Sequence, residues 1–501
     1  MLSNLALGAS TAFEPLNLVY CFVGALLGTL IGILPGLGPA ATIAMLMPLT
    51  MGIEPTGALI MLAGIYYGAQ YGGSTTAILV NMPGEASSAV TAIDGYAMAR
   101  KGRAGAALAI TAIGSFIAGC AATVVIAVLA KPLSRLAIEF GSAEYFSLIL
   151  LGLIASIVLA HGSLVKAIAM VAMGVLFGAV GTDMFSGTPR FAFGVQGLRD
   201  GIDLVALSIG LFGVAEIIRN LQSRAAGDQE VAEIDRLMPT REELRMAAMP
   251  IARGSLVGSV LGVLPGGGAL LASFASYAVE KKISRTPERF GKGAIEGVAG
   301  PESANNAGAQ TSFIPMLSLG LPANAVMALM MGAMIMQGIV PGPRVASDHP
   351  QLFWGLVVSM WVGNLMLVIL NLPLVRLWVR LITIPYGILY PAILVFCVIG
   401  SYSIAKSELD LVLLALFGLA GYLMVRAGYE AVPFLLGFIL GPMLEEHFVR
   451  AMILSRGNPG VFLTQPISAG FLIAAVLLLA AMALPRFARR RKEVFTETEG
   501  V

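Results

Sequence analysis

Residues 28–38 read GTLIGILPGLG and residues 258–268 read GSVLGVLPGGG, so one pattern occurs twice in the chain. A single shift in residue number aligns the two copies at seven identities: Gly24/Gly254, Gly28/Gly258, Gly32/Gly262, Leu34/Leu264, Pro35/Pro265, Gly36/Gly266 and Gly38/Gly268. Each copy starts as an apolar helix of small residues. Pro-Gly-x-Gly then breaks it, because proline lacks an N–H donor and glycine accommodates positive φ. Helices broken at corresponding places in two halves are typical of binding sites in membrane transporters.

The composition predicts an integral membrane protein. The chain has 501 residues, of which 57% are hydrophobic and 12% are charged, whereas soluble domains carry about 25% charged residues. Residues 466–485 contain no charge and are about long enough to span a bilayer as a helix. We therefore expect an all-α polytopic fold with roughly 10–12 transmembrane helices. The net charge of +2 gives no indication of nucleic-acid binding, and the scattered cysteines and histidines predict no metal site or cofactor.

Polarity divides the sequence into two membrane halves. Half one spans residues 1–221, with its repeat motif at 24–104, and half two spans 251–485, with its motif at 254–340. A polar linker, 222–250, separates the halves. Within half one, an apolar stretch at 57–82 is interrupted by YYGAQYGGSTT, and residues 83–104 read as a polar loop. The tail, 486–501, begins with the basic run RFARRRKE directly after the last apolar segment. The positive-inside rule therefore predicts a cytoplasmic C-terminus.

The loop charges predict that the two repeats are inverted relative to each other. The turn at 50–56 has no basic residue, whereas the corresponding turn at 280–292 has five. The next pair shows the reverse, since 100–103 reads RKGR and 341–350 carries one Arg and one Asp. Corresponding turns should therefore lie on opposite sides of the membrane. Inverted repeats with broken helices or re-entrant hairpins place a site at the repeat interface near mid-membrane.

A polar element follows each break. The first, residues 68–88, reads GAQYGGSTTAILVNMPGEASS, and the second, 300–326, reads GPESANNAGAQTSFIPMLSLGLPANAV. Both contain GAQ, then a hydroxyl pair, an apolar run, and a proline beside a polar residue. Such irregular, polar segments survive at membrane depth only where protein covers them or water reaches them. The predicted substrate ligands are Gly36, Gly38, Ser74, Thr75, Thr76, Asn81, Gly266, Gly268, Asn305, Asn306, Thr311 and Ser312. The predicted cation ligands are Pro35, Gln70, Thr75, Pro265, Gln310, Thr311 and Asn324.

Several of these residues also have plainer interpretations. The hydroxyls of Thr75 and Thr311 could instead donate hydrogen bonds to the backbone of their own helices, without binding a ligand. Glu85 and Asp94 are equally explained as ordinary loop carboxylates, and Asn364 and Asn371 favour contacts between helices over ligand binding. We expect Asp183 at the membrane interface. The sequence contains no convincing nucleotide-binding motif of an enzyme. GLGPAA at 36–41 resembles a dinucleotide-binding fingerprint but lacks a βαβ context, and PGGGALLASF lacks a P-loop lysine.

The whole chain resembles the large membrane subunit of the tripartite tricarboxylate transporter family. Four segments carry the resemblance: GTLIGILPGLGPAATIAMLMPLT, YYGAQYGGSTTAILVNMPGEASSAVTAIDGYAMARKGRAG, GVLPGGGALLASFASYAVEKK and GPESANNAGAQTSFIPMLSLGLPANAVMALMMGAM. The resemblance implies a multi-pass permease of the bacterial inner membrane. It also implies two partners, a small integral membrane subunit and a periplasmic solute-binding protein, and ion-driven uptake of small carboxylates such as citrate.

Charge arithmetic favours coupled transport. A dianion entering a cell that is 100 mV negative inside costs about 4.6 kcal/mol, which co-transported Na⁺ or H⁺ offsets. The many neutral oxygen ligands and few intramembrane carboxylates favour Na⁺ over H⁺. We expect alternating access with an elevator-like motion. The alternative is a passive channel or facilitator for organic anions.

Overall fold

The computed structural model describes residues 2–34, 38–160, 163–223, 232, 234, 236–264, 268–382 and 386–483. Helices dominate these residues. In chain order they are α1 Leu2–Ala12, α2 Pro15–Gly32, α3 Pro39–Leu46, α4 Pro55–Val80, α5 Ala89–Met98, α6 Ala104–Ile138, α7 Ser142–Leu159, α8 Leu164–Gly178, α9 Leu204–Ser208, α10 Ala215–Ser223, α11 Arg241–Leu261, α12 Gly268–Ile283, α13 Glu296–Thr311, α14 Phe313–Leu319, α15 Ala325–Met336, α16 Val345–Asp348, α17 Pro350–Asn371, α18 Val375–Ile382, α19 Tyr386–Ala405, α20 Glu408–Arg426, α21 Ala431–Leu454, α22 Val461–Thr464 and α23 Pro466–Ala483.

Short turns and one hairpin complete the described structure. The 3₁₀ turns are Met47–Thr50, Ala86–Ser88, Gln196–Asp200 and Pro287–Arg289, and the wider π turns are Ala99–Arg103 and Ile209–Val214. Strands β1 (Gly181–Thr182) and β2 (Pro189–Arg190) pair antiparallel, with Gly181 opposite Arg190.

The predicted all-α multi-pass membrane fold is confirmed. Within the described residues, six helical stretches are long and apolar enough to cross a bilayer: Pro15–Gly32, Ala86–Ala130, Leu204–Leu221, Pro350–Asn371, Glu408–Arg426 and Ala431–Leu454. Six further apolar helices in the described residues are 10–17 residues long, among them Pro39–Thr50 and Ala325–Met336. The expected number of roughly 10–12 spans depends on how many of these shorter helices cross the membrane.

The chain packs into two compact units. The first comprises Met1–Pro132 and Glu216–Gly400, and the second comprises Leu133–Ala215 and Ser401–Val501. Each unit therefore takes segments from both halves of the sequence. Both Pro-Gly motifs and both polar elements belong to the first unit. The division into halves at 221 and 251 follows the repeat in the sequence and stays a prediction about internal symmetry.

Both predicted helix breaks are present. α2 ends at Gly32 and α3 begins at Pro39, while α11 ends at Leu261 and α12 begins at Gly268. Pro35 and Gly36 of the first motif, and Pro265 and Gly266 of the second, lie outside the described residues, as does the basic tail.

Glycines explain why α2 and α4 pack so closely. Gly24, Gly28 and Gly32 recur at every fourth position and therefore form a stripe on one face of α2. A Cβ built on each would lie 2.2–2.6 Å from the carbonyl oxygens of Met61, Ile65 and Ala69, respectively. These distances are far inside van der Waals contact, so only glycine permits this approach of the two backbones.

The second repeat uses the same contact. Cβ atoms built on Gly254, Gly258 and Gly262 of α11 would lie 2.2–2.5 Å from the carbonyl oxygens of Gly300, Ala304 and Gly308 in α13. Met61 thus corresponds to Gly300, Ile65 to Ala304 and Ala69 to Gly308, and one constant shift in residue number relates all three pairs. We call this shift the packing register. In the packing register, the GAQ at 68–70 lies one position away from the GAQ at 308–310, so the shared letters do not mark equivalent positions.

Three local expectations need correction. The interruption expected within 57–82 is absent, since α4 is continuous to Val80 and is buried from Thr56 onward. Residues 83–104 are not a loop, since they contain α5, whose polar side chains point into the protein. α11 begins at Arg241, inside the predicted linker, where Thr240 and Glu243 form a capping box.

Candidate functional site

Two equivalent loops follow the buried helical stretches of the repeats, which are α4 in the first repeat and α13 with α14 in the second. Residues 81–85 read NMPGE and follow α4, and residues 320–324 read GLPAN and follow α14. Each begins with a residue in the left-handed region, Asn81 at φ 55° and Gly320 at φ 70°, which ends the helix. The packing register aligns the prolines of both loops and places Glu85 opposite Asn324. We call 81–85 the first loop and 320–324 the second loop.

Each loop touches the buried helix of the other repeat at corresponding positions. Asn305 Nδ2 in α13 donates to Glu85 Oε1 of the first loop at 2.9 Å. Asn324 Nδ2 of the second loop donates to the Tyr66 hydroxyl in α4 at 3.4 Å. The same packing register that relates Glu85 to Asn324 also relates Tyr66 to Asn305. Such reciprocal contacts are what a two-fold axis between the repeats produces.

Both loops also lie beside the helices that follow the breaks. A Cβ built on Gly38, just before α3, would lie 4.0 Å from the Gly84 carbonyl oxygen. One built on Gly268, the first residue of α12, would lie 3.6 Å from Asn324 Nδ2. α3 packs against α15, and α12 packs correspondingly against the turn Ala86–Ser88. The starts of four helical segments therefore converge here, and free N–H groups at helix starts favour anions.

A buried carboxylate, Glu302 of α13, lies at the centre of the contact between the repeats. It has no exposed surface. Ser74 Oγ lies 2.7 Å from both carboxylate oxygens, and Thr91 Oγ1 donates to Glu302 Oε2 at 2.9 Å. Ser115 Oγ and Asn306 Nδ2 lie 3.1 and 3.0 Å from Oε1. Among the described residues Glu302 has only neutral partners, so its charge is not cancelled by Lys or Arg.

The sequence prediction included two of these groups, Ser74 and Asn306, and missed the carboxylate that they bind. A signal was present, because an ionisable residue within an otherwise uncharged membrane segment is by default a functional hypothesis. Glu85 is likewise not an ordinary loop carboxylate. It is partly buried and receives hydrogen bonds from Ser87 Oγ at 2.5 Å and from Asn305.

Tyr66 brings together three of the remaining predicted ligands. Gln70, Ser312 and Asn324 all lie within hydrogen-bonding reach of its hydroxyl. Asn324 Oδ1 accepts the N–H of Met327 at 2.9 Å and so caps α15. Buried Gln70 Oε1 and Asn305 Oδ1 have no hydrogen-bond partner among the described residues. Unpartnered buried oxygens are costly, which supports a ligand-binding role for this region.

Several predicted ligand hydroxyls, that of Ser312 included, donate to the backbone of their own helix. Thr75 Oγ1 donates to the Tyr71 carbonyl at 3.3 Å, Thr76 Oγ1 to Gly73 at 3.0 Å and Ser312 Oγ to Ala309 at 2.6 Å. Thr311 Oγ1 donates to Ala307 at 3.0 Å, beside the α11 contact. Gln310 points to α6, where Thr123 Oγ1 lies 2.7 Å from its Oε1.

Three residues with open interpretations now have defined surroundings. Asp94 is fully buried and accepts the N–H groups of Gly293 and Ala294 at 2.7 and 2.8 Å, so it orders the start of α13. Buried Asn364 faces Gly119 of α6, while Asn371 Nδ2 donates to its own helix at Leu367.

We predict that Thr75→Val and Thr311→Val separate transport from folding. Thr75 lines a small cavity beside Glu302, so its replacement should lower uptake while the melting temperature stays within a few degrees. Thr311 packs against Gly262, so its replacement should lower stability by about 1 kcal/mol. Uptake assays and thermal melts of both variants check this. Identical effects of both substitutions in both assays would contradict it.

The second unit contains a larger cavity of about 120 Å³ beside the β-hairpin. Arg190 binds Glu445 through two contacts at 2.7 and 3.0 Å and lies 3.8 Å from Asp183. The Ser186 hydroxyl and the Phe185 N–H hold the pKa of Asp183 below its ordinary value.

The chain is similar to one protein family and to two proteins of known sequence. The model of the tripartite tricarboxylate transporter TctA family matches residues 18–436. An "uncharacterized 52.8 kDa protein in TAR-I ttuC' 3'region" of Agrobacterium vitis is 58% identical over 499 residues, covering 100% of this chain and 99% of that protein. An "uncharacterized protein in TAR-II ttuC' 3'region" of the same organism is 58% identical over 242 residues, covering 48% of this chain and 100% of that protein. No solved structure matches the chain.

Proposed function

Because the chain belongs to the tripartite tricarboxylate transporter TctA family, we propose that it performs cation-coupled, secondary active uptake of small carboxylates. The substrate class is a tri- or dicarboxylate of the citrate type. The observation that carries the proposal is the reciprocal contact of the two loops with α4 and α13. In a transporter with inverted repeats, the binding site lies at such an interface.

Backbone N–H groups at the N-termini of helices bind the carboxylate substrate. Among the described residues, the side chains at the contact between the loops and the buried helices are hydroxyls, amides and the carboxylates Glu85 and Glu302. The N–H groups at the starts of α3 and α12 supply partial positive charge instead. Gly38 and Gly268 leave room there for a carboxylate to approach the backbone.

A bound cation supplies the remaining positive charge. The substrate carries several negative charges, and the site adds Glu85 and Glu302. Bringing a dianion in against 100 mV costs about 4.6 kcal/mol, which two co-transported monovalent cations cancel electrically. Na⁺ suits the many neutral oxygens near the loops. Alternating exposure of this site to the two sides of the membrane completes the transport cycle.

The proposal extends to partners and location. The family is tripartite, so this multi-pass chain works with other components. We assign these as a small integral membrane subunit and a periplasmic solute-binding protein that delivers the carboxylate. The chain then lies in the bacterial inner membrane with its C-terminus in the cytoplasm, as the positive-inside rule requires of the tail.

Proteoliposomes containing the chain and its partner subunits test the proposal. We expect radiolabelled citrate, used as the probe, to accumulate above its external concentration when an inward Na⁺ gradient is imposed. Collapsing the gradient with a Na⁺ ionophore should abolish accumulation. A passive channel or facilitator would only equilibrate the probe, with or without the gradient. Uptake that needs neither the binding protein nor a cation gradient would also refute the proposal.

A further inference from the structure

A small polar cavity lies beside Glu302 and Thr75 in the first unit. The cavity has a volume of about 10 Å³, room for roughly one water-sized particle. Four helices line it, and its lining residues are Tyr71, Thr75, Leu108, Thr111, Ala112, Ser115, Glu302 and Asn371. Six of the eight carry a side-chain oxygen. Only Glu302 carries a negative charge.

Two of these oxygens are unused in the described structure. The Tyr71 hydroxyl and Asn371 Oδ1 are buried and have no hydrogen-bond partner among the described residues. Tyr71 is 4% exposed and Asn371 is 7% exposed. A buried polar atom left unpartnered costs free energy, so each atom is expected to serve a ligand. Both belong to the lining of the cavity that contains Glu302.

We propose that this cavity is the coupling-cation site and holds one dehydrated Na⁺. This inference rests on the proposed cation-coupled function. Carboxylate, hydroxyl and amide oxygens are the ligands that hard cations prefer. One monovalent cation neutralises the single charge of Glu302, whose other contacts are all neutral donors. The small cavity leaves no room for a hydrated ion.

The position of Glu302 links this cation to the substrate loops. Glu302 lies one helical turn before Asn305 and Asn306 in α13. Asn306 Nδ2 bonds Glu302, while Asn305 Nδ2 bonds Glu85 of the first loop. Binding of a cation at Glu302 therefore orders the same turn of α13 that holds the first loop. This single turn of α13 therefore couples cation binding to substrate binding.

Binding of ²²Na⁺ to the purified full-length chain in lipid nanodiscs, in choline buffer, tests the proposal. Glu302→Gln should weaken Na⁺ binding at least about tenfold, because it removes the charge and keeps the shape. Tyr71→Phe should weaken it by about threefold or more, although it deletes only an unpartnered hydroxyl. Ser303→Ala is the matched control, since its hydroxyl is also buried and unpartnered among the described residues but does not line the cavity. Its affinity should be unchanged.

The binding measurements can disprove the proposed Na⁺ site in three ways. Unaltered Na⁺ affinity in Glu302→Gln, or equal losses in Tyr71→Phe and Ser303→Ala, overturns the site. If Glu302→Gln fails to fold, the comparison of Tyr71→Phe with Ser303→Ala still decides. A wild-type chain that binds no ²²Na⁺ while its uptake follows a pH gradient overturns Na⁺ as the occupant. Each of these results would disprove the cation site or its occupant without disproving cation-coupled uptake. Uptake that needs no cation gradient would disprove the proposed function itself.

Discussion

Gly28→Val is expected to prevent correct folding of the first unit. The new Cβ would lie 2.2 Å from the Ile65 carbonyl oxygen and 2.8 Å from the Ile65 Cα, so the α4 backbone must move. α4 is buried along nearly its whole length, so any shift of its backbone disrupts its packing. We expect a loss of about 3 kcal/mol, a large share of the stability of a typical domain. Yield of monodisperse protein and its melting temperature measure the effect.

The control and the counterpart for this variant come from the same chain. Gly152→Val also places valine within a membrane helix, but a Cβ built there meets nothing within 4 Å. Its stability should change by less than about 1 kcal/mol. Gly258→Val should behave like Gly28→Val, because its Cβ would lie 2.3 Å from the Ala304 carbonyl oxygen. Equal stability of Gly28→Val and Gly152→Val would disprove the packing described for α2 and α4.

Glu85→Gln should abolish most transport while the protein still folds. Glu85 receives charge-assisted hydrogen bonds from Ser87 and Asn305, each worth about 1.5–3 kcal/mol. Glutamine keeps the shape but loses the charge that attracts a cation and holds Asn305 of the other repeat. Uptake should fall by at least about tenfold, which corresponds to about 1.4 kcal/mol. Uptake in proteoliposomes, corrected for the amount of folded protein, measures it.

Glu54→Gln is the matched control for Glu85→Gln. Glu54 precedes α4 at its other end and is exposed, and in the described part of the chain its side chain has one weak contact, with Thr56 at 3.4 Å. Uptake by this variant should equal that of the wild type. If Glu85→Gln transports as well as Glu54→Gln, the first loop has no part in transport.

Local chemistry explains which parts of the fold were predictable. Proline and glycine end helices through their own backbone properties, so the breaks after Gly32 and Leu261 follow from the doubled motif. The regular spacing of Gly24, Gly28 and Gly32 similarly marks a helix face. The continuity of α4 was missed because Thr75 and Thr76 donate their hydroxyls to carbonyl oxygens of their own helix. Polar residues inside a buried helix then need no break.

The partners in the site depend on distant parts of the sequence. Ser74 and Glu302 are 228 residues apart, and Asn305 and Glu85 are 220 apart. No local pattern sets these distances, because they follow from the packing of α4 against α13. Ser74, Asn305, Asn306 and Asn324, which the composition of both elements predicts as ligands, all lie at this contact, and their role as ligands stays a prediction.

The most direct test of a substrate site at the breaks and loops uses a cysteine at Gly38. Gly38→Cys, in a Cys120→Ser background, places a thiol beside Gly84 where there is space for it; Cys21 and Cys397 are buried. In the complete transporter with Na⁺ present, citrate should slow alkylation of this thiol. It should leave Gly52→Cys, in an exposed turn, unaffected. A Gly38→Cys variant that still transports citrate, yet is alkylated at the same rate with and without it, would contradict the account.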